Sequence, residues 1–144
     1  MKTKTMLFCP LVFALLSCKS VSPKVLEIER DYDDFKDVEI TWEKAFSPAK
    51  PSYFLYIYSK TCGHCQEIKQ DVLSFVAHDY FPTFLINYSD EIPVKRNPEK
   101  TIGVIRYEDL YISGTPTLIH IDGGAVFHNI VGTTEILDYI SIYK

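Results

Sequence analysis

The sequence predicts an α/β protein in which a central mixed β-sheet carries helices on both faces. Three observations lead there. The run SYFLYIY, Ser52 to Tyr58, is apolar without interruption and is followed at once by a segment of helical period. A second apolar run, PTFLINY at Pro82 to Tyr88, comes next. Near the C-terminus, Asp122-Gly123-Gly124 separates two strand-like segments and marks a hairpin. Strand–helix–strand implies parallel pairing and the hairpin implies antiparallel pairing, so the sheet must be mixed.

At 144 residues the chain suits one folded domain. Residues 1–17 read as an export signal. Lys2 and Lys4 give a basic start, and Met6 to Leu16 is an apolar run of eleven residues. A bilayer span needs roughly 20 residues, whereas the apolar core of a signal peptide is shorter. Leu15-Leu16-Ser17-Cys18 then resembles the lipobox of bacterial lipoproteins, in which the cysteine is lipidated through sulfur after cleavage before it. That resemblance implies an exported lipoprotein held at the extracytoplasmic face of a bacterial cell membrane by lipid on Cys18. Removing Lys2 and Lys4 leaves 13 basic and 19 acidic side chains, a net charge of −6 with His neutral. Such a balance speaks against nucleic acid or an anionic lipid surface as the main partner. Residues 18–36, which include Pro23 and the charged ERDYDDFKD, read as a solvated tether. About 18 flexible residues would span on the order of 25 Å.

The domain is expected over residues 37–144, and each element has its own signal. Thr41 is a plausible cap for a short helix from Trp42 to Phe46, which Pro48 and Pro51 close. Ser52 to Tyr58 is the pattern of a strand buried on both faces. From Gly63 to about Ala77, Ile68, Val72, Phe75 and Val76 fall on one helical face. Pro82 to Tyr88 reads as a second central strand. Ser89 to Ile105, with Pro93 and Asn97-Pro98, reads as an irregular insertion, and Arg106 to Ile112 as a short helix ending near Gly114. Thr117 to Ile121 and Ala125 to Val131 form the hairpin. A last helix follows Gly132-Thr133 with Ile136, Leu137, Ile140 and Tyr143 on one face. Of the ten tyrosines and nine phenylalanines, seven fall in the expected strands, where aromatics are favoured, and most are expected to be core.

Chemistry concentrates at Cys62-Gly63-His64-Cys65. Cys9 would leave with the signal and Cys18 would be consumed by lipid, so these two are the remaining thiols. Export places them where a disulfide can persist. A structural staple is a poor reading, because so small a loop gains little from closure. Zinc would need four ligands, and the chain has no second Cys-x-x-Cys, only His78, His120 and His128 besides His64. His120 and His128 lie on paired strands and are expected as cross-strand surface residues. A cysteine at a helix start, by contrast, faces free N–H groups that favour thiolate. That makes Cys62 the attacking nucleophile and Cys65 the more buried resolving thiol. Gly63 and His64 would tune the pair, His64 by favouring the Cys62 thiolate. Lys60 and Glu67 are read as exposed charges beside it.

A buried strand, then CGHC opening a helix, then Gly114-Thr115-Pro116-Thr117 leading into a hairpin and helix, resembles the thioredoxin-like fold family over about residues 38–144. The CGHC tetrapeptide is similar to the active sites of protein disulfide isomerases. The resemblance implies a thiol–disulfide oxidoreductase that needs no cofactor beyond a Cys62–Cys65 redox disulfide. It also implies a cis bond before Pro116, with Thr115 offering backbone groups to an incoming peptide. Pro116 would further deny that space to a metal. Thr61 stands where the family carries Trp just before the first cysteine, and Tyr56 where it buries an acid six positions earlier. The expected partners are thiols or disulfides of exported proteins and a redox partner that resets the pair, with the protein acting as a monomer. The competing readings are a non-catalytic peptide-binding surface lipoprotein on the same scaffold and a metallochaperone.

Overall fold

The computed structural model describes residues 28–88 and 101–144. Cys9, Cys18, the rest of the signal-like segment and residues 89–100 of the insertion lie outside the described residues.

Four strands form one sheet: β1 (Ser52–Tyr58), β2 (Thr83–Asn87), β3 (Thr117–Asp122) and β4 (Ala125–Val131). Their order is β2-β1-β3-β4, with β1 parallel to β2 and antiparallel to β3, and β3 antiparallel to β4. The mixed sheet expected from the sequence is therefore present. The strand β2, expected to be central, is instead the last member of the ladder. Its outer edge is covered by residues 38–40, since the Ile40 N–H donates to the Leu85 carbonyl at 2.8 Å and the Leu85 N–H to the Val38 carbonyl at 3.0 Å. The other edge is met by the end of the insertion, where Gly103 and Val104 exchange backbone bonds with Val126.

β1 explains the uninterrupted apolar run. Phe54, Tyr56 and Tyr58 pack with the helices on one face, while Tyr53, Leu55 and Ile57 pack on the other. Both faces are buried, so polar alternation has no place. The helical face holds α1 (Gly63–Glu67), α2 (Lys69–Ala77) and α3 (Thr133–Ser141). On the opposite face the cover comes from short 3-10 turns at Trp42–Lys44 and Tyr107–Asp109, with Trp42, Ala45, Leu110 and Ile112 buried. The expected helix at Arg106 to Ile112 is thus one turn followed by extended chain, with Leu110 at φ −63°, ψ 141°. Burial of Leu110 and Ile112, two residues apart, fits extended chain and not a helical face.

The single helix expected from Gly63 to Ala77 is interrupted at Ile68, whose φ of −103° and ψ of 7° depart from helical geometry. Ile68, Val72 and Phe75 are all buried across the break. The apolar face is continuous, which is why its period gave no sign of the interruption.

Residues 28–36, read from the sequence as the end of a solvated tether, pack against this region. Tyr32, in the 3-10 turn Tyr32–Phe35, is only 1% exposed. Its ring stacks on Tyr58 with centroids 3.8 Å apart. Asp31 caps the turn, and Asp34 answers by accepting from the Asp31 N–H at 2.8 Å. Gln70 bonds both backbone groups of Arg30, at 2.9 and 2.7 Å.

Candidate active site

Cys62 is the N-cap of α1, in extended conformation, and Cys65 lies on the helix's first turn. Both are free thiols, Cys62 half-buried and Cys65 fully buried. Tyr58 ends the buried strand, and Cys62 follows after a turn closed by the Cys62 N–H donating to the Ser59 carbonyl at 3.2 Å. The strand therefore delivers the pair to the end of the sheet, and α1 aims its first N–H groups at the leading sulfur.

The two thiols are electrostatically unequal. Burial pushes the Cys62 thiol up, but hydrogen bonding outweighs it. The Thr115 side chain, the Cys65 N–H, the Cys65 thiol and the His64 N–H all favour the thiolate, and the net direction is downward. In its protonated form the Cys62 thiol donates to the Thr115 carbonyl at 3.2 Å. For Cys65 burial dominates and pushes the thiol up to about 11, with the neighbouring Cys62 adding to the rise. Backbone bonding to Ser59 and the Thr115 side chain oppose it without reversing it.

Each residue singled out in the sequence has a definite place. The Thr115–Pro116 bond is cis and sits beside Cys62. Gly63 opens α1 and has open space where a Cβ would be. The contribution of His64 to the Cys62 thiolate is made by its backbone N–H. Its imidazole faces Glu67 instead, with Nδ1 3.5 Å from Oε2 and both side chains exposed. The expected imidazole contact gives way because a ring one residue into the helix points outward, towards i+3. Lys60 is an exposed charge, held by Asp33 at 2.7 Å.

His120 corrects the sequence reading. It is only 5% exposed, its Nε2 lies 2.8 Å from Ser52 Oγ, and its Nδ1 lies 2.8 Å from the Tyr139 hydroxyl. Its place on β3, paired with Phe54 of β1, turns it under α3 and away from solvent. Only its partner His128 is exposed, and that ring also meets the Tyr139 hydroxyl at 2.8 Å. Among the described residues, no three His, Cys, Asp or Glu side chains gather as metal ligands would.

Three residues near the pair escaped sequence reasoning. The Tyr32 hydroxyl donates to the Cys65 carbonyl at 3.2 Å. The Asp31-x-x-Asp34 capping pattern was the available signal for its turn. Glu135 and Gly132 were the other omission. They join His64, Thr115, Pro116 and Val131 in lining a cleft of about 300 Å³ beside the pair. Tyr56, beneath the site, is wholly buried, and burial drives its hydroxyl far above the ordinary tyrosine range. It stays neutral and cannot act as a proton-accepting anion.

No family model and no curated protein matches the chain. Solved structures do. The chain is similar to thioredoxin f2 of Chlamydomonas reinhardtii, at a TM-score of 0.51 and 13% identity over 74% of this chain and 95% of that one. It is also similar to the oxidized form of mitochondrial thioredoxin 3 from Saccharomyces cerevisiae, at a TM-score of 0.52 and 11% identity over 73% of this chain and 93% of that one. The fold is thioredoxin-like. On this thioredoxin-like scaffold the Cys62–Cys65 pair sits at the end of β1, next to the cis-proline loop.

Proposed function

We propose that the protein is an extracytoplasmic thiol–disulfide oxidoreductase working through Cys62 and Cys65. The observation that carries this reading is the inequality of two adjacent thiols, one half-exposed with its thiolate favoured and one buried with its thiol favoured. In the reducing direction, the Cys62 thiolate attacks one sulfur of a substrate disulfide. A Cys62–substrate bond forms and the other substrate sulfur leaves as a thiolate. Cys65 then attacks Cys62 Sγ, and the Cys62–Cys65 disulfide forms as the second substrate sulfur departs. Two electrons have moved to the substrate, and the proton of Cys65 goes with the released thiolate. The oxidising direction is the reverse of each step. Thr115 and Pro116 would receive the substrate backbone beside Cys62, with Gly63 and His64 supplying the turn and the N–H behind it. No cofactor beyond the redox disulfide enters these steps.

The basic start, apolar run and Ser17-Cys18 support attachment to a bacterial membrane by lipid on Cys18, on the extracytoplasmic side. Substrates would then be thiols or disulfides of exported proteins, and a separate redox partner would reset the pair. The test is the reduction potential of the purified protein in glutathione buffers, with Cys62 ionisation followed by alkylation against pH. A depressed Cys62 pKa with a reversible two-electron couple is expected. A pair that can be neither reduced nor alkylated without unfolding would favour the non-catalytic peptide-binding lipoprotein.

A further inference from the structure

The cleft beside the cysteines has a charged wall that the redox chemistry does not use. Its Pro116 and Val131 surfaces are apolar, as in any groove that takes an extended peptide. Glu135, in the first turn of α3, supplies the acid. Its carboxylate folds back over Gly132, so that a Cβ on that glycine would fall onto Glu135 Oε2. Gly132 also has φ of +109°, which side-chain-bearing residues rarely adopt. The glycine therefore both makes the turn and leaves room for the carboxylate along the cleft. Among the described residues, the lining contains no lysine or arginine to neutralise it. His64, across the cleft, is itself held by a second acid, Glu67. The helix start alone gives a carboxylate a favourable position in the first turn of α3. As the third helical residue Glu135 also reaches back over the N-cap Gly132, as such a glutamate commonly does, and here that fold sets the carboxylate along the cleft beside the cis-proline loop.

Resting on the oxidoreductase reading, we propose that Glu135 selects substrates whose reactive cysteine is flanked by lysine or arginine. A peptide that passes Thr115 places a residue next to its cysteine in this cleft. There a cationic side chain meets Glu135, while an acidic one meets like charge and is turned away. The same cation stabilises the substrate thiolate when it departs. The chemical class of substrate is thus a basic cysteine-containing segment of an exported protein.

Three peptides that differ only in lysine, glutamine or glutamate beside a single cysteine would test this. Each carries that cysteine in a disulfide with a coloured aryl thiol, and exchange with the reduced full-length protein releases the colour. Rates are divided by those for 2-mercaptoethanol, a thiol with no charged group besides the thiolate, to correct for the intrinsic reactivity of each peptide disulfide. Because the Glu135 side chain is solvent-accessible, the lysine peptide should lead the glutamate peptide by only about fivefold. That lead should shrink in high salt, fall towards onefold in Glu135→Gln and reverse in Glu135→Lys. Asp138→Asn, on the same helix but outside the cleft, should keep it. Equal rates for all three peptides, or a preference that survives Glu135→Gln, would overturn the assignment and leave the oxidoreductase reading standing. Failure of every peptide to react would overturn both.

Discussion

A thiol ionises according to its surroundings, and Cys62 and Cys65 differ in little else. Cys62 receives the N–H groups of His64 and Cys65 and the Thr115 side chain, which together outweigh its partial burial. Cys65 is wholly enclosed, and burial holds it as a thiol up to about 11. Alkylation of the reduced protein at pH 7 should therefore label Cys62 first, at a rate above that of an ordinary thiol, and reach Cys65 only after unfolding. Mass spectrometry of the modified peptides reads the order directly. Cys65→Ser should accumulate mixed disulfides at Cys62, while Cys62→Ser should abolish exchange. Equal labelling of both sulfurs in the native state would contradict the inequality on which the function rests. At this scale the sequence carried part of the site: the greater burial of Cys65 and the cis bond at Pro116 both follow its motifs. It did not carry the orientation of His64, because whether a ring reaches its neighbour or Glu67 is decided by helix geometry around an exposed side chain. Tyr32 and Glu135 were hidden for a related reason. Tyr32 reaches the site from a mostly charged segment, and Glu135 from the solvent side of an amphipathic helix, where an acid reads as surface.

Among the elements, strands were the most legible, since β1 and the β3–β4 hairpin declare themselves by period and turn chemistry. Less legible was what holds α3 to the sheet. His120 on β3 lies between Ser52 Oγ and the Tyr139 hydroxyl, and Tyr139 also meets His128 on β4 and Tyr143 in the turn just past the end of α3. A histidine in an alternating strand reads as surface unless the partner helix is known. Burial lowers the His120 pKa, His128 adds to the effect and Asp122 opposes it. The sign for stability follows from that direction. The folded state keeps His120 neutral where the unfolded chain binds a proton, so stability is fully present above the unfolded value near 6.5 and is lost as pH falls towards the folded value. The melting temperature of the oxidised protein should drop between pH 7.5 and pH 5, and His120→Gln should flatten that part of the profile. An unchanged slope in the variant would assign the acid sensitivity elsewhere.

For the whole molecule, the decisive question is where the folded unit begins. The sequence pointed to residue 37, because ERDYDDFKD has the composition of solvated chain. The described structure carries the core further towards the N-terminus. Tyr32 covers Tyr58 at the end of β1, its hydroxyl holds the Cys65 carbonyl, Lys69 pairs with Asp31 at 3.0 Å, and Gln70 grips Arg30. One buried aromatic outweighs the charges around it, because those charges need only point outward. A chain starting at residue 37 would expose Tyr58, leave the Cys65 carbonyl without its hydroxyl and strip the break between α1 and α2 of its support. Loss of a buried aromatic of this size costs about 3 kcal/mol, so the truncated protein should unfold at markedly lower urea than one starting at residue 28. The same truncation should raise the reactivity of Cys65 towards alkylating reagents, since the cover that keeps it a thiol is partly the Tyr32 turn. Tyr32→Phe separates the two contributions: it keeps the ring on Tyr58 and removes only the bond to the Cys65 carbonyl, at a cost of about 1 kcal/mol. If the chain starting at 37 matched the longer one in both urea midpoint and Cys65 protection, residues 28–36 would be tether after all, and the candidate site would be complete without them.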